Sequence, residues 1–309
     1  MFDLEKALEK IKTIETSGQS KHSSEFYGIN EAVLNYLNLP KWFPLKFIAY
    51  IEHGYYYFDF FFDRLQQLNG TEAYLASNSF RYNFIKNKID SPCFVLGNPF
   101  LLHKRHFNIK LSETAKGTII FPNHGTHHLT LKMDWEEYAT FLESLPNEMK
   151  PITVCIYWKD LLNDDYLIIK NKGFNVITNG HIFDKNFIDN FYQNIKFFKY
   201  CIGSKFGSSL IYAYDLGLSV FIAGPHSYLL DSNTKYQPQT NFNLDEMTTS
   251  LHWNINEPPI MPPKAHEVCQ MLIDETHWHT PQFIKTQLIK LAPILIIKKI
   301  AKYIKKRLT

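Results

Sequence analysis

Apolar positions along this chain recur with two periods, and the switches between them mark out short strands and helices. Phe2 to Ile14 carries apolar residues at helical spacing, and Asn30 can cap a helix that stops at Leu37, before Pro40. Short apolar runs of the buried-strand type then occur at Leu45 to Ile51, Glu72 to Ala76 and Pro92 to Leu96. Helical stretches separate them at Tyr56 to Leu68 and Phe80 to Lys88. From about Phe100 to Lys116 the chain turns polar and basic. A second series of strands follows at Thr118 to Phe121, Ile152 to Tyr157, Phe174 to Ile177, Phe198 to Ile202 and Ser219 to Ala223. Between them lie a helix from Asp134, with Glu137 completing a capping box, to Leu145, and helices at Asp164 to Lys172, Asp184 to Phe197 and Leu210 to Leu216. Gly217 stands where a helix-ending glycine belongs. Asn233 to Pro263 reads as an irregular loop, and helices at Lys264 to Asp274 and Pro281 to about Leu308 follow.

Alternating strands and helices imply parallel sheets with right-handed crossovers. The expected fold is therefore α/β, with a domain at residues 1–112, a second at 113–280 and a terminal helix at 281–309. The five strands of the second series suit one Rossmann-like domain. Composition supports a folded chain, since 45% of its 309 residues are hydrophobic and 20% are charged. Net charge is +3, yet eight Lys/Arg and no acid lie between Gln282 and Thr309, so the rest of the chain is net acidic. That places the basic balance in a tail and speaks against a nucleic-acid-binding face. The four scattered cysteines read as buried reduced thiols of a cytosolic protein. The N-terminal stretch lacks the apolar centre of a signal peptide, and no apolar run is long enough to span a bilayer.

Ligands of open parallel sheets bind at the carboxyl ends of the strands. Here those ends are almost all polar. They read Glu52-His53-Gly54, Ser77-Asn78-Ser79 and Gly97-Asn98-Pro99 in the first series. In the second they read Asn123-His124-Gly125-Thr126, Trp158-Lys159-Asp160, Thr178-Asn179-Gly180-His181, Gly203 to Ser209 and Gly224-Pro225-His226. Gly203-Ser204-Lys205-Phe206-Gly207-Ser208-Ser209 is a turn before a helix, with two glycines, three hydroxyls and free backbone N–H groups at a partly positive helix end, which suits a phosphate. A tight capped turn explains the same residues. Neither GxxxxGK[ST] nor GxGxxG fits. Glu52 or His53 can serve as an acid or base, or can simply pin the turn. His124 can face a phosphate, and His124, His127 and His128 could hold a metal, though no third-ligand pattern accompanies them. His181 suits a ligand contact or a turn, and Asp160 a ligand contact or a cap. His277-Trp278-His279 reads as surface or interdomain packing. No GxSxG elbow supports a serine hydrolase. In the tail, Ile297, Ile300, Ile304 and Leu308 share one helical face, and Lys298, Lys299, Lys302, Lys305 and Lys306 lie around the other. Such a helix can lie on an anionic membrane or pack on its own domain.

The segments IIFPNHGTHH at 119–128, VCIYWKD at 154–160, NVITNGHIFD at 175–184 and CIGSKFGSSLIYAYDLG at 201–217 resemble bacterial glycosyltransferases of the GT-B type, including some sialyltransferases. The resemblance implies two Rossmann-like domains facing a cleft, with a nucleotide-sugar held by the second. It implies transfer to a glycan or lipid-linked acceptor without metal or other cofactor, by a protein peripheral on the cytoplasmic face of the membrane. Glu52 or His53 would activate the acceptor, and His124, Ser208 and Ser209 would balance charge on the departing nucleotide. Asn123, Gly125, Thr126, Trp158, Lys159, Asp160, Gly180, His181, Gly203, Ser204 and Gly207 would complete the nucleotide site. A sugar-nucleotide epimerase and a non-catalytic, membrane-docked nucleotide-binding protein are the alternatives.

Overall fold

The structure is a computed structural model that describes residues 4–14, 23–55, 65, 68, 70–125, 131–225, 228–229 and 248–308. Two compact units divide the chain. One holds a three-stranded sheet and comprises Gln19–Asn108, Pro238–Leu244 and Gln270–Thr309. The other holds a five-stranded sheet and comprises Met1–Gly18, Ile109–Gln237 and Asp245–Cys269. The ends of the chain are thus exchanged relative to a simple succession of domains. The N-terminal helix belongs to the five-stranded unit and the C-terminal helix to the three-stranded one.

In the three-stranded unit, α2 (Ile29–Tyr36) is followed by the short helix α3 (Leu45–Ile48), which runs directly into β1 (Ala49–Ile51). The expected strand from Leu45 is therefore only its last three residues. Pro44 lacks the N–H that a ladder would require and stands instead at the N-terminal cap of α3. β2 (Ala73–Ala76), α4 (Ser79–Ile85) and β3 (Cys93–Val95) follow, and the strands pair in parallel in the order β1-β2-β3. Of the aromatic stretch at Tyr56 to Leu68, only Leu65 and Leu68 fall within the described residues. Both join a core with Tyr50, Tyr74, Ala76 and Ile85. The polar, basic stretch from Phe100 to Lys116, read in the sequence as a boundary, contains the change of unit between Asn108 and Ile109 and opens as helix α5 (Pro99–His106). Asn98 caps it by accepting from Phe100 N–H, and proline occupies its first turn. Phe100, Leu101, Leu102 and His103 are buried, so only Lys104, Arg105 and His106 make up its outer face.

The five-stranded unit begins with α1 (Leu4–Thr13) and continues with β4 (Thr118–Phe121), α6 (Trp135–Ser144), β6 (Ile152–Cys155), α7 (Leu167–Asn171), β7 (Asn175–Ile177), α8 (Phe187–Ile195), β8 (Tyr200–Gly203), α9 (Ser208–Leu216) and β9 (Ser219–Ile222). A two-residue strand β5 (Leu131–Lys132) pairs antiparallel with β10 (Tyr228–Leu229), a pairing too short to show as a pattern in the sequence. Asp134 caps α6 through Glu137 N–H, and Gly217 ends α9 in the left-handed conformation at φ 109°. All five main strands are parallel, in the order β7-β6-β4-β8-β9. Counted along this unit, that is 3-2-1-4-5, the doubly wound Rossmann order. The sheet is covered by apolar helix faces: Trp135, Tyr138 and Leu142 of α6, Ile188, Phe191 and Ile195 of α8, and Leu210, Ile211 and Leu216 of α9 are all buried.

Helix α10 (Pro263–Ile273) and helix α11 (Pro281–Leu308) end the described chain. Among the described residues no helix is long and apolar enough to cross a membrane.

Candidate functional site

The order 3-2-1-4-5 reverses direction between β4 and β8, the strands from which the chain leaves toward opposite sides. A crevice opens at such a switch point because the loops after the two strands part there. Phe121 at the end of β4 is paired with Gly203 at the end of β8. The loops that follow are Pro122-Asn123-His124-Gly125 and Ser204-Lys205-Phe206-Gly207, and the second leads into the N-terminus of α9. Topology therefore brings Asn123, His124, Gly125, Gly203, Ser204, Gly207, Ser208 and Ser209 to one sheet edge. Thr126, His127 and His128 lie outside the described residues.

The turn after β8 has a built side and an open side. A Cβ on Gly203 would stand 2.8 Å from the Lys205 carbonyl oxygen, so the tight bend depends on glycine there. Ser204 is fully buried and its Oγ is 3.0 Å from the Tyr138 hydroxyl, which fastens the turn to α6. Ser204 is thus an anchor, not a ligand group. A Cβ on Gly207 would meet nothing closer than Ser209 Oγ at 3.9 Å, and the Gly207 backbone is extended. Among the described residues no side chain caps α9, and Ser208 and Ser209 are half-buried. The first N–H groups of the helix carry partial positive charge.

A row of rings runs along the same edge. His124 stacks on Tyr157 at 4.1 Å between centroids and 16° between planes. Tyr157 touches Trp158, and Trp158 touches His181 at 4.0 Å. His124 is exposed, with Nδ1 2.6 Å from the Gly125 carbonyl oxygen. A carbonyl only accepts, so Nδ1 carries the hydrogen and Nε2 of the neutral ring bears the lone pair. Desolvation of the ring, packed against Tyr157, lowers its pKa, opposed by that hydrogen bond. Burial pushes the Tyr157 hydroxyl up to about 12, so it stays protonated at neutral pH. His181 and Trp158 are buried, and His181 Nδ1 accepts from Phe183 N–H, so these two residues shape the edge from within. Lys159 and Asp160 are half-buried, and Asp160 opens a 3₁₀ turn rather than an α-helix. Gly180 and His181 border a cavity of about 540 Å³ beneath α1, whose Lys10 pairs with Asp184 at 2.5 Å. Set against known proteins, the chain matches no family model and no curated sequence.

In the three-stranded unit, Glu52 is 2% exposed and both of its oxygens are occupied. Oε1 accepts from Arg81 Nε at 2.8 Å and from the Tyr74 hydroxyl; Oε2 accepts from Ser77 N–H and Ser77 Oγ, each at 2.9 Å. Arg81 is itself fully buried. Four donors hold this carboxylate, which makes it the anchor of the sheet's end and removes it as a base for a bound hydroxyl. His53 is half-buried between the rings of Phe26 and Tyr27, and burial lowers its pKa to about 4.

Two groupings escaped sequence reasoning. Tyr157 was drawn into a strand because Ile156-Tyr157 is apolar, but β6 ends at Cys155 and Tyr157 lies in the loop. Asp274, at φ 56°, accepts from Ser79 N–H at 2.6 Å at the end of β2, and its other oxygen bonds His277 Nδ1. The His277 side chain is 63% exposed. The sequence reads His277-Trp278-His279 as surface or interdomain packing. Trp278 lies against Gly97, His279 Nδ1 accepts from Val95 N–H at 3.1 Å, and His277 stands at the surface. The only sequence signal was an Asp–His pair three residues apart, too common to stand out.

Among the described residues no group of three or more His, Cys, Asp or Glu is arranged to hold a metal ion. The four cysteines are free thiols, and burial pushes Cys155 and Cys269 up to about 12 and Cys93 to about 11, so none is a thiolate at neutral pH.

Proposed function

We propose that the chain is a glycosyltransferase of GT-B-like organisation, which takes a sugar from a nucleotide-sugar bound at the β4–β8 switch point of the five-stranded unit. The carrying observation is that the switch point has His124 on one flank and, on the other, the N-terminus of α9, which no side chain among the described residues caps. Helix N–H groups and the Ser208 and Ser209 hydroxyls would take the phosphates, and His124, neutral in the unliganded protein, would take up a proton at Nε2 beside the bound phosphates and so stabilise the charge that develops on the departing nucleotide. Metal is not needed in this reading, because the helix end and the imidazole supply the positive charge. The acceptor would be a membrane-associated glycan or lipid-linked sugar. Supporting this is the exposed apolar face of α11, where Ile297 is 67%, Ile300 54% and Ile304 51% exposed in a basic, acid-free stretch.

The full engagement of Glu52 also favours a second reading, a membrane-docked nucleotide-binding protein without catalysis. A thermal-shift screen against CMP, UDP, GDP and dTDP tests the common core of both readings. One nucleotide is expected to raise Tm at concentrations above its Kd. No shift with any of the four would remove the nucleotide site.

A further inference from the structure

We infer that the three-stranded unit meets an anionic lipid bilayer over two adjoining strips, of which the second, carried by Trp42 and Phe47, lies outside the terminal helix. The inference rests on the membrane-docking part of the reading above and extends it to residues that no basic tail explains.

Helix α11 has two opposed apolar faces. Ile284, Leu288, Ala292 and Leu295 are buried, at 0%, 0%, 8% and 2% exposure. At 3.6 residues per turn they share the side by which the helix packs on its own unit. Ile289, Ile294, Ile297, Ile300 and Ile304 lie on the other side and are 49%, 52%, 67%, 54% and 51% exposed. A contiguous apolar strip of this kind is uncommon on a surface that meets only water. Lys299, counted in the sequence among lysines facing headgroups, is engaged inside the unit instead. Its Nζ is 2.7 Å from Glu72 Oε1 and 2.7 Å from the Phe47 carbonyl oxygen.

Lysine contacts also lay the segment from Asn38 to Phe47 along α11. Lys285 Nζ donates to the Asn38 carbonyl at 2.7 Å, near the start of the helix, and Lys299 does the same to Phe47 fourteen residues later. Those two lysines project in nearly the same direction, and Ile289, Ile296, Ile300 and Tyr303 fall on the adjoining part of the helix surface. The strapped segment therefore borders the exposed apolar strip. It repeats one motif, a lysine followed by an aromatic residue, at Lys41-Trp42 and Lys46-Phe47. Trp42 is 81% exposed and Phe47 53%, and both lysines are exposed.

Charge decides the occupant. No acid lies between Leu37 and Ile51, nor between Thr276 and Thr309. Exposed isoleucines, a tryptophan and a phenylalanine, interspersed with lysines on two segments that carry no acid, match the acyl boundary and phosphate layer of an anionic bilayer.

The test is co-sedimentation of the full chain with equimolar phosphatidylglycerol–phosphatidylcholine vesicles, beside Trp42→Ala, Phe47→Ala and a variant lacking residues 292–309. Each single substitution is expected to weaken partitioning about tenfold, the effect of removing one large apolar side chain from the interface. Brominated lipid is expected to quench tryptophan emission of the unsubstituted protein and much less that of Trp42→Ala, a readout independent of stability. Undiminished binding by Trp42→Ala and Phe47→Ala, with binding lost in the truncated chain, would overturn the second strip and leave tail docking intact. Failure of the unsubstituted protein to bind would overturn both. Equal binding to pure phosphatidylcholine would overturn the anionic assignment. Self-association abolished by Trp42→Ala, seen by light scattering, would overturn the bilayer in favour of a second copy.

Discussion

Two strand ends of this protein read almost alike, Glu52-His53-Gly54 after β1 and Asn123-His124-Gly125 after β4, and they fold to opposite uses. After β1 the acid turns inward, where Arg81, Tyr74 and Ser77 occupy both its oxygens, and the imidazole beside it is pushed toward the neutral form. After β4 the imidazole stays at the surface, stacked on Tyr157, with only Nδ1 engaged by the backbone. A polar residue at a strand end is therefore no measure of chemistry. What separates an anchor from a working group is how many donors the fold already aims at it.

The largest test of this contrast is Glu52→Gln. An anchor must lose much of its fixation of buried Arg81, so urea denaturation is expected to show a loss of about 3–5 kcal/mol, as when one partner of a buried ion pair is removed. A stability change below about 1 kcal/mol would return Glu52 to the rank of free carboxylate.

His53 gives the next effect. Its pKa is about 4 when folded against 6.5 ordinarily, so between those values the unfolded chain binds more protons and stability rises with pH. The contribution is complete above about pH 6.5 and is lost as pH falls toward 4, on the order of 3 kcal/mol in all. His53→Phe is expected to flatten that part of the Tm–pH profile. An unchanged slope would show that another group carries it.

How far the sequence disclosed all this differs between the units. Period and capping revealed every main strand of the five-stranded sheet, because β-branched runs such as Thr118-Ile119-Ile120 alternate with capped helices such as the one opened by Asp134. The strand order, and with it the switch point, has no local signal, since it depends on which helix crosses over which strand. The three-stranded unit was harder to read. Pro44 starts a helical turn inside an apolar run, and the buried Phe100 to His103 of α5 run straight into the polar Lys104-Arg105-His106. Saturation of Glu52 needed partners 22 to 29 residues away, which no spacing rule collects.

A smaller effect sharpens the comparison within the β8 turn itself. Gly203→Ala forces a Cβ against the Lys205 carbonyl and is expected to cost about 1–3 kcal/mol. Gly207→Ala makes only an ordinary contact with Ser209 Oγ at 3.9 Å and is expected to change stability by less than about 0.5 kcal/mol, while reducing nucleotide affinity about tenfold. Equal affinity for Gly207→Ala would show that nothing approaches that side of the turn.

The central claim, a nucleotide gripped between His124 and the start of α9, is tested most directly by calorimetric titration of the nucleotide that stabilises the protein best. Unsubstituted protein, His124→Ala and the double variant Ser208→Ala/Ser209→Ala would be compared. The expected result is one binding site in the first, and Kd raised about tenfold or more in each variant with Tm unchanged. Identical Kd and enthalpy in all three proteins would contradict it.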